Sequence, residues 1–290
     1  MRDRTLNFVL AGLRVWRSTC YLLTPAKFWR ETFATNQLFS TYARARRKIV
    51  MRPPETETKT KSGILFPTTA KHSLKSLKPV LKTWIELVER YSSVASKHET
   101  PSTCYWASER SSVGVLASAA WNTEAKKRTE GKKWIALEES PTRKKGRGLG
   151  EKHGRCDLWV ATSRKSFAFE AKQISPLVKA GDEQTAAKSA NEQLTNKQPN
   201  SAWNDVGSVA NDEADVRIAA CFFVPRFNKG LEGNPLEPCL NVLVEYLKKN
   251  TPADAIAWVF PETNRGIFLS TPKHLFPGVC LLLRVRDRGH

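Results

Sequence analysis

Apolar residues recur along the chain in patterns that predict an alternation of helices and strands. Between Leu74 and Tyr91 they return at helical intervals, which predicts an amphipathic helix, and similar spacing predicts a second helix over Ser102–Trp121. Three strand-like runs follow, then a polar helix between Asp182 and Asn196 and a strand rich in β-branched and aromatic residues. These strands are predicted over Trp134–Glu138, Cys156–Ala161, Ser166–Lys172 and Val216–Val224. The element order is therefore α-β-β-β-α-β.

The chain continues beyond this core and is preceded by a segment of different composition. One further helix and two further strands are predicted over Leu236–Lys248, Ala255–Phe260 and Val279–Val285. Residues 1–50 hold ten Lys or Arg and two Asp or Glu, and a polar stretch with two prolines follows Met51. We therefore predict a basic, aromatic-rich N-terminal extension and linker over residues 1–62 and one domain over residues 63–290, with its core at about 102–226.

Two interpretations of the N-terminal extension are open. It is either a basic helical arm that docks on the core or on nucleic acid, or a segment upstream of a physiological start at Met51. The apolar run Leu6–Leu13 is ended by Arg14 and no small-residue cleavage site follows it, so a signal peptide is not favoured.

Cysteine spacing and hydropathy bear on the cellular compartment. The six cysteines form no C-x-x-C pair and no short metal-binding spacing, which favours a reduced, cytoplasmic protein. The longest uncharged stretches, such as residues 111–123, fall short of the roughly 18 to 20 apolar residues that cross a bilayer. We therefore expect no membrane-spanning segment.

The charge of the chain narrows the class of partner. It carries 47 Lys or Arg against 28 Asp or Glu, which gives a formal net charge of +19. An excess of this size predicts a polyanionic partner, and it favours nucleic acid over an anionic membrane surface.

The second and third predicted strands carry the residues with the most chemical information. In a hairpin that closes symmetrically on Ser163 and Arg164, Asp157 stands directly opposite Glu170. Cross-strand Cβ atoms lie about 4.5 to 5.5 Å apart, so the two carboxylates could share a divalent cation. Lys172 falls on the same face as Glu170, next to such a metal and a bound phosphate. This arrangement suits metal-assisted hydrolysis of a phosphodiester.

The same pattern also has a plain structural explanation. An Asp-x12-Glu-x-Lys string is loose, and with 26% charged residues it also arises on an ordinary solvated sheet face. Its position on two adjacent strands with apolar inner faces, between helix and strand units in basic surroundings, favours the catalytic interpretation.

With these residues the sequence resembles the PD-(D/E)XK nuclease superfamily, which has the restriction-endonuclease-like fold, and the resemblance covers roughly residues 102–226. It implies an α/β core with a mixed central sheet flanked by helices. It further implies that Asp157 and Glu170 bind Mg²⁺, that the backbone carbonyl of Ala171 adds a ligand, and that Lys172 positions or activates the attacking water. Cys156 stands where the family motif has proline.

Many members of this superfamily also place a glutamate on the first core helix. Glu109, at the head of the second predicted helix, is the first candidate, and Glu138 at the end of the first predicted strand is the second. The alternative role for Glu109 is stabilisation of the helix dipole in the first turn.

The segment Thr142–Arg155 is glycine-rich and basic and leads directly into Asp157. We interpret it as a flexible loop that neutralises phosphates and follows a nucleic-acid backbone without reading sequence, the alternative being an ordinary solvated loop. Its basic residues are Arg143, Lys144, Lys145, Arg147, Lys152 and Arg155.

The resemblance and the charge together predict a Mg²⁺-dependent nuclease that hydrolyses DNA phosphodiester bonds, with DNA favoured over RNA. Mn²⁺ is expected to substitute for Mg²⁺, and the resemblance points to restriction, repair, recombination or a mobile element as the context. The alternative is a non-catalytic nucleic-acid-binding protein that keeps the fold and the basic surface. A homodimer is a further hypothesis. Cleavage that depends on a divalent metal ion would distinguish the nuclease from the non-catalytic binding protein.

Overall fold

The computed structural model describes residues 61–68, 70–97, 103–123, 133–145, 151–179, 181–228, 236–264, 268–270 and 273–286. The predicted N-terminal extension, residues 1–62, lies outside these ranges except for Lys61 and Ser62. The helices are α1 (His72–Lys75), α2 (Lys78–Lys97), α3 (Glu109–Asn122), α4 (Glu183–Gln193), α5 (Ala202–Ser208) and α6 (Leu236–Asn250). The strands are β1 (Lys61–Leu65), β2 (Ile135–Lys145), β3 (Glu151–Thr162), β4 (Lys165–Ile174), β5 (Leu177–Val178), β6 (Val216–Phe223), β7 (Arg226–Asn228), β8 (Ala255–Phe260), β9 (Phe268–Ser270), β10 (Lys273–Leu275) and β11 (Val279–Arg286).

In the described part of the chain, seven strands form one mixed sheet in the order β1-β8-β11-β6-β4-β3-β2. β4 and β6 run parallel, whereas the other neighbouring strands of this sheet run antiparallel. The parallel pair is possible because helices α4 and α5 lie between the two strands in sequence and carry the chain back along the sheet. The predicted α/β class, with a mixed central sheet flanked by helices, is confirmed.

Alternate residues of the central strands face two separate helical layers. In β6, Ile218 and Ala220 pack in a cluster with α2 and α3, whereas Cys221 and Phe223 pack in a cluster with α4, α5 and α6. Every residue of β6 is buried. A strand covered on both faces has a nearly continuous apolar sequence, and this explains why Val216–Val224 is recognisable from sequence.

The first two predicted helices begin at different residues in the structure, for reasons that lie in the local sequence. The predicted helix Leu74–Tyr91 is two helices, and α2 begins at Lys78 because Pro79 fits the first turn of a helix but not its interior. α3 begins at Glu109 because the Ser108 hydroxyl caps it, accepting a hydrogen bond from the Ser111 N–H at 3.1 Å. Among the helices of the described residues, none has both the length and the apolar composition needed to cross a membrane.

The hairpin formed by β2 and β3 is much longer than predicted. The two strands pair antiparallel from Ile135 opposite Ala161 to Lys145 opposite Glu151. The prediction of a flexible loop over Thr142–Arg155 is therefore wrong for the residues in the ladder, because their backbone groups are held by cross-strand hydrogen bonds. The glycines that suggested a loop include Gly154, which is part of β3.

The short elements of the structure were not predicted. A second sheet, ordered β5-β7-β10-β9, is built from strands of two or three residues, and α5 has seven residues. Such elements are shorter than the windows over which hydrophobic periodicity can be recognised.

We predict that the core beneath the β2–β3 hairpin contributes to stability. Leu158 is 1% exposed and Leu137, on the facing strand, is 51% exposed. Leu158→Ala should lower the free energy of unfolding by about 2–5 kcal/mol, because it removes buried methyl groups and leaves a cavity. Leu137→Ala, the matched control, should change it by less than about 0.5 kcal/mol. Denaturant unfolding measures both, and equal losses would contradict the assigned faces.

Candidate active site

The site lies where two neighbouring strands of the central sheet separate. β3 and β4 pair from Thr162 opposite Lys165 to Leu158 opposite Phe169, which confirms the symmetric register predicted for this hairpin. Beyond that pair β3 stays with β2, whereas β4 continues along β6 as far as Ile174 opposite Phe223. Asp157 and Glu170 are the next residues after the last β3–β4 pair, so both carboxylates stand at the fork.

Asp157 uses its carboxylate to bind the backbone of the neighbouring strand. Its Oδ2 accepts a hydrogen bond from the Ala171 N–H at 2.6 Å, in place of a regular ladder contact. Partial burial raises the pKa of Asp157 above its usual range, and the charge of Glu139 adds to this, although the Ala171 N–H, Lys172 and Lys144 oppose the shift. The Ala171 N–H therefore makes the contact with Asp157. Metal ligation by the Ala171 carbonyl stays a prediction.

Glu170 is the most deeply buried acid of the site, with 3% of its surface exposed. Lys144 Nζ lies 2.7 Å from Glu170 Oε1, but the approach leaves that buried oxygen without a hydrogen bond of good geometry, so the contact is an ion pair. Burial raises the pKa of Glu170 to about 7, with a smaller contribution from the charge of Asp157 and opposition from Lys144. A buried oxygen without a well-formed hydrogen bond can still take a ligand.

Lys172 is held by an acid that the sequence analysis missed. Its Nζ lies 3.0 Å from Oδ2 of Asp205, on α5. Partial burial alone would lower the pKa of Lys172, but the hydrogen bond and charge of Asp205, with Glu109 and Asp157, raise it overall. Lys172 is therefore charged and oriented. Ser201, whose hydroxyl accepts the Asn204 N–H, marks the start of α5 in the sequence, but nothing local places Asp205 beside Lys172.

Both glutamates proposed from sequence to complete the site lie close to Asp157. Glu109 Oε2 accepts a hydrogen bond from the Gln173 N–H at 2.8 Å, which fixes the first turn of α3 against β4 just beyond Lys172. Burial raises the pKa of Glu109, and Asp157 adds to the shift while Lys172 opposes it. An open cleft is lined by Glu109, Arg110, Val113, Glu138, Glu139 and Asp157.

The basic residues predicted to contact nucleic acid divide into three groups. Arg143 is exposed but makes ion pairs with Asp212 and Glu213, whereas Lys144 points inward to Glu170, so both are engaged by acids of the protein. Lys152 and Arg155 are exposed, and Arg155 lies 4.0 Å from a carboxylate oxygen of Glu139. The side chain of Lys145 and all of Arg147 lie outside the described residues.

The pleat of the sheet is interrupted opposite Asp157. Glu139 has a φ of 50°, in the left-handed region that non-glycine residues rarely adopt. Strict alternation predicts Cys156 on the face of Leu158, yet Cys156 is buried in a different cluster with Ala168. The alternation of faces is therefore broken between Cys156 and Leu158, and the Cys156 side chain is fully buried. An irregularity at this point lets Asp157 turn to the fork.

The donor atoms at the fork fit a hard divalent cation such as Mg²⁺. Asp157 and Glu170 supply carboxylate oxygens, which Mg²⁺ prefers, usually as one or two protein ligands with water completing the shell. Glu170 Oε1 is buried and lacks a well-formed hydrogen bond. Within the described ranges, no set of three or more His, Cys, Asp or Glu residues is arranged to hold a metal ion, so a cation here would rely on water or substrate oxygens.

Comparison with known proteins adds no relative. No protein-family model, no curated protein and no solved structure matches the chain. The chemistry of the site must therefore be argued from its own residues.

The raised pKa of Glu170 predicts how stability depends on pH in the metal-free protein. An acid whose pKa rises from 4.5 to about 7 on folding favours the folded state when protonated, so its contribution is present at low pH. Relative to Glu170→Gln, the wild type should lose up to about 3 kcal/mol of unfolding free energy as pH rises from about 4.5 to 7. Denaturant unfolding in EDTA measures this difference.

The exposed Glu86→Gln on α2 is the control for that comparison, and its difference from the wild type should not vary in this way. A Glu170→Gln difference that is flat between these pH values would show that Glu170 titrates normally in the folded protein.

Proposed function

We propose that the protein is a metal-dependent nuclease that hydrolyses phosphodiester bonds, with DNA as the favoured substrate. The observation that carries this proposal is the convergence of Asp157, Glu170 and Lys172 at the fork between β3 and β4. Two carboxylates and one charged amine suit metal-assisted phosphodiester hydrolysis, because the reaction develops negative charge on phosphate and needs an activated water.

The order of elements around the site also supports the proposal. Helix α3, the antiparallel strands β2, β3 and β4, the helical segment of α4 and α5, and the parallel strand β6 follow the order α-β-β-β-α-β when β5, which belongs to the second sheet, is set aside. This is the order expected from the resemblance to the PD-(D/E)XK superfamily, and the two acids and the lysine occupy the strands that the resemblance requires.

Asp157 and Glu170 would hold the divalent cation through their carboxylate oxygens. When bound, such a cation polarises a phosphoryl oxygen and lowers the pKa of a coordinated water. The Ala171 N–H orients the Asp157 carboxylate, and the buried position of Glu170 keeps competing water away from it. Both acids are thereby fixed before substrate arrives.

Lys172 supplies positive charge to the phosphate. Asp205 keeps the ammonium protonated and fixes its position, at 3.0 Å. A charged amine at this place stabilises the negative charge that builds on the phosphoryl oxygens in the transition state. The charge of Glu109, on α3, also raises the pKa of Lys172.

One observation favours the non-catalytic alternative. Glu170 and Lys172 each have an ion-pair partner within the protein, Lys144 and Asp205, so the site is electrostatically compensated without any ligand. A protein that keeps the fold for binding alone would retain such pairs as structural contacts. Activity measurements distinguish the two functions.

We predict that the three central residues act as one unit. Asp157→Ala and Glu170→Ala should lower cleavage of linear, circular or branched DNA with Mg²⁺ by about a thousandfold or more, because each removes a metal ligand. DNA affinity measured in EDTA should fall little, since most of it comes from basic residues elsewhere. Lys172→Ala should lose activity, and double variants should be no worse than the worst single one.

The controls are Glu86→Ala and Lys82→Ala, exposed residues on α2, which should cleave as the wild type does. Wild-type protein that cuts none of these DNA forms or RNA with Mg²⁺ or Mn²⁺, while binding DNA, would favour the non-catalytic function.

Glu109 is predicted to act on the reaction rather than on stability. In Glu109→Gln the side-chain oxygen can still accept the Gln173 N–H, so the thermal transition should stay within about 2 °C. The lost charge should lower turnover by about tenfold or more, as expected for a group that assists proton transfer or metal binding. Full activity in Glu109→Gln with loss in Glu138→Gln would assign the role to the strand residue instead.

A further inference from the structure

Lys144 lies inside the carboxylate site, although it belongs to a run of basic residues, Arg143–Lys145. Its side chain is 26% exposed, and its Nζ lies 2.7 Å from Glu170 Oε1. Lys144 belongs to β2 and Glu170 to β4, so the lysine side chain crosses the intervening strand β3 to reach its partner.

The stem of Lys144 passes close to Gly154 of β3. A Cβ atom at this position would stand 2.8 Å from Lys144 Cδ and 2.9 Å from Lys144 Cγ, closer than such atoms approach. The missing side chain of Gly154 therefore leaves the space in which the lysine stem lies. Lys152, the cross-strand partner of Lys144, is exposed.

The backbone that carries Lys144 is held in place on its other side. Lys144 forms an antiparallel bridge with Val209, and the Ala210 N–H donates to the carbonyl oxygen of Arg143 at 2.9 Å. Buried Arg217 donates in turn to the Val209 carbonyl at 2.8 Å. A lysine fixed at its backbone and its stem is positioned for a specific partner rather than for general attraction of polyanions.

We propose that Lys144 is a resident counter-cation of Glu170, which must leave the carboxylate before a divalent cation can bind there. The inference rests on the proposed function, because it takes Glu170 as a metal ligand. A carboxylate this buried needs a compensating charge, and an ammonium group supplies it in the metal-free protein. Since ammonium and metal compete for one carboxylate, Lys144 raises the metal concentration at which the site fills.

The test measures Mn²⁺ affinity directly, in the absence of DNA, from the electron paramagnetic resonance signal of free Mn²⁺. Lys144→Met removes the competing charge but keeps the stem, so Mn²⁺ should bind on the order of tenfold more tightly. Gly154→Ala keeps the amine but obstructs its path, and should tighten binding in the same direction by less. Lys152→Met removes a charge from the same hairpin and should leave Mn²⁺ affinity unchanged.

The outcomes separate this inference from the proposed function. Mn²⁺ binding that is lost in Glu170→Gln but equal in the wild type, Lys144→Met and Gly154→Ala overturns the competition and leaves the metal site intact. Mn²⁺ binding that ignores Glu170→Gln, or no binding at all, removes the metal site and with it both proposals. If Lys144→Met does not fold, Gly154→Ala decides, because tighter binding there arises only from displacement of the lysine.

Discussion

The burial of the Glu170 carboxylate is the constraint on which the rest of the site depends. A charged group that is 3% exposed is destabilised unless other charges or hydrogen bonds compensate it. Lys144 supplies the compensating charge. Its stem lies in the space that a side chain at Gly154 would fill. Lys172, on the same strand as Glu170, requires a second acid, which α5 supplies as Asp205. Each of these charges thus has its partner on another element of the fold.

The fork between β3 and β4 is the backbone counterpart of this charge arrangement. A continuous ladder would satisfy the backbone of both strands and leave no place for a ligand between them. Instead the two strands separate beyond the pair of Leu158 and Phe169. The Asp157 carboxylate there accepts a hydrogen bond from the Ala171 N–H. Glu109, on α3, likewise accepts a hydrogen bond from the Gln173 N–H of β4. Two acids are thereby oriented by backbone donors that the regular sheet would otherwise have used.

Sequence reasoning predicted the parts of this site that depend on local rules. The register that brings Asp157 and Glu170 level follows from a symmetric turn at Ser163 and Arg164, and β8 has the predicted bounds Ala255–Phe260. Such results need only the two-residue period of strands and the chemistry of turns. The element order followed from the same patterns.

Other features depend on contacts between distant segments and were out of reach. Asp205 approaches Lys172 because α5 packs against the sheet, and no spacing in the sequence encodes this contact. The inward turn of Lys144 depends on a glycine of the next strand, which sequence reasoning took as a sign of a loop. A long basic side chain on a strand has enough reach to cross a neighbour, so alternation fixes its face but not the position of its charge.

The same reasoning changes how the net charge of +19 should be understood. A count of basic residues treats Arg143 and Lys144 as cations available to a partner, yet both are engaged by acids of the protein itself. Exposed residues such as Lys152 are screened by salt within about 10 Å, whereas buried pairs are screened far less. Under the proposed function, any nucleic-acid affinity carried by the exposed residues would therefore weaken with ionic strength, while the buried pair of Lys144 and Glu170 would persist. Within the basic hairpin, burial rather than composition thus distinguishes Lys144, which is paired with Glu170, from an exposed residue such as Lys152.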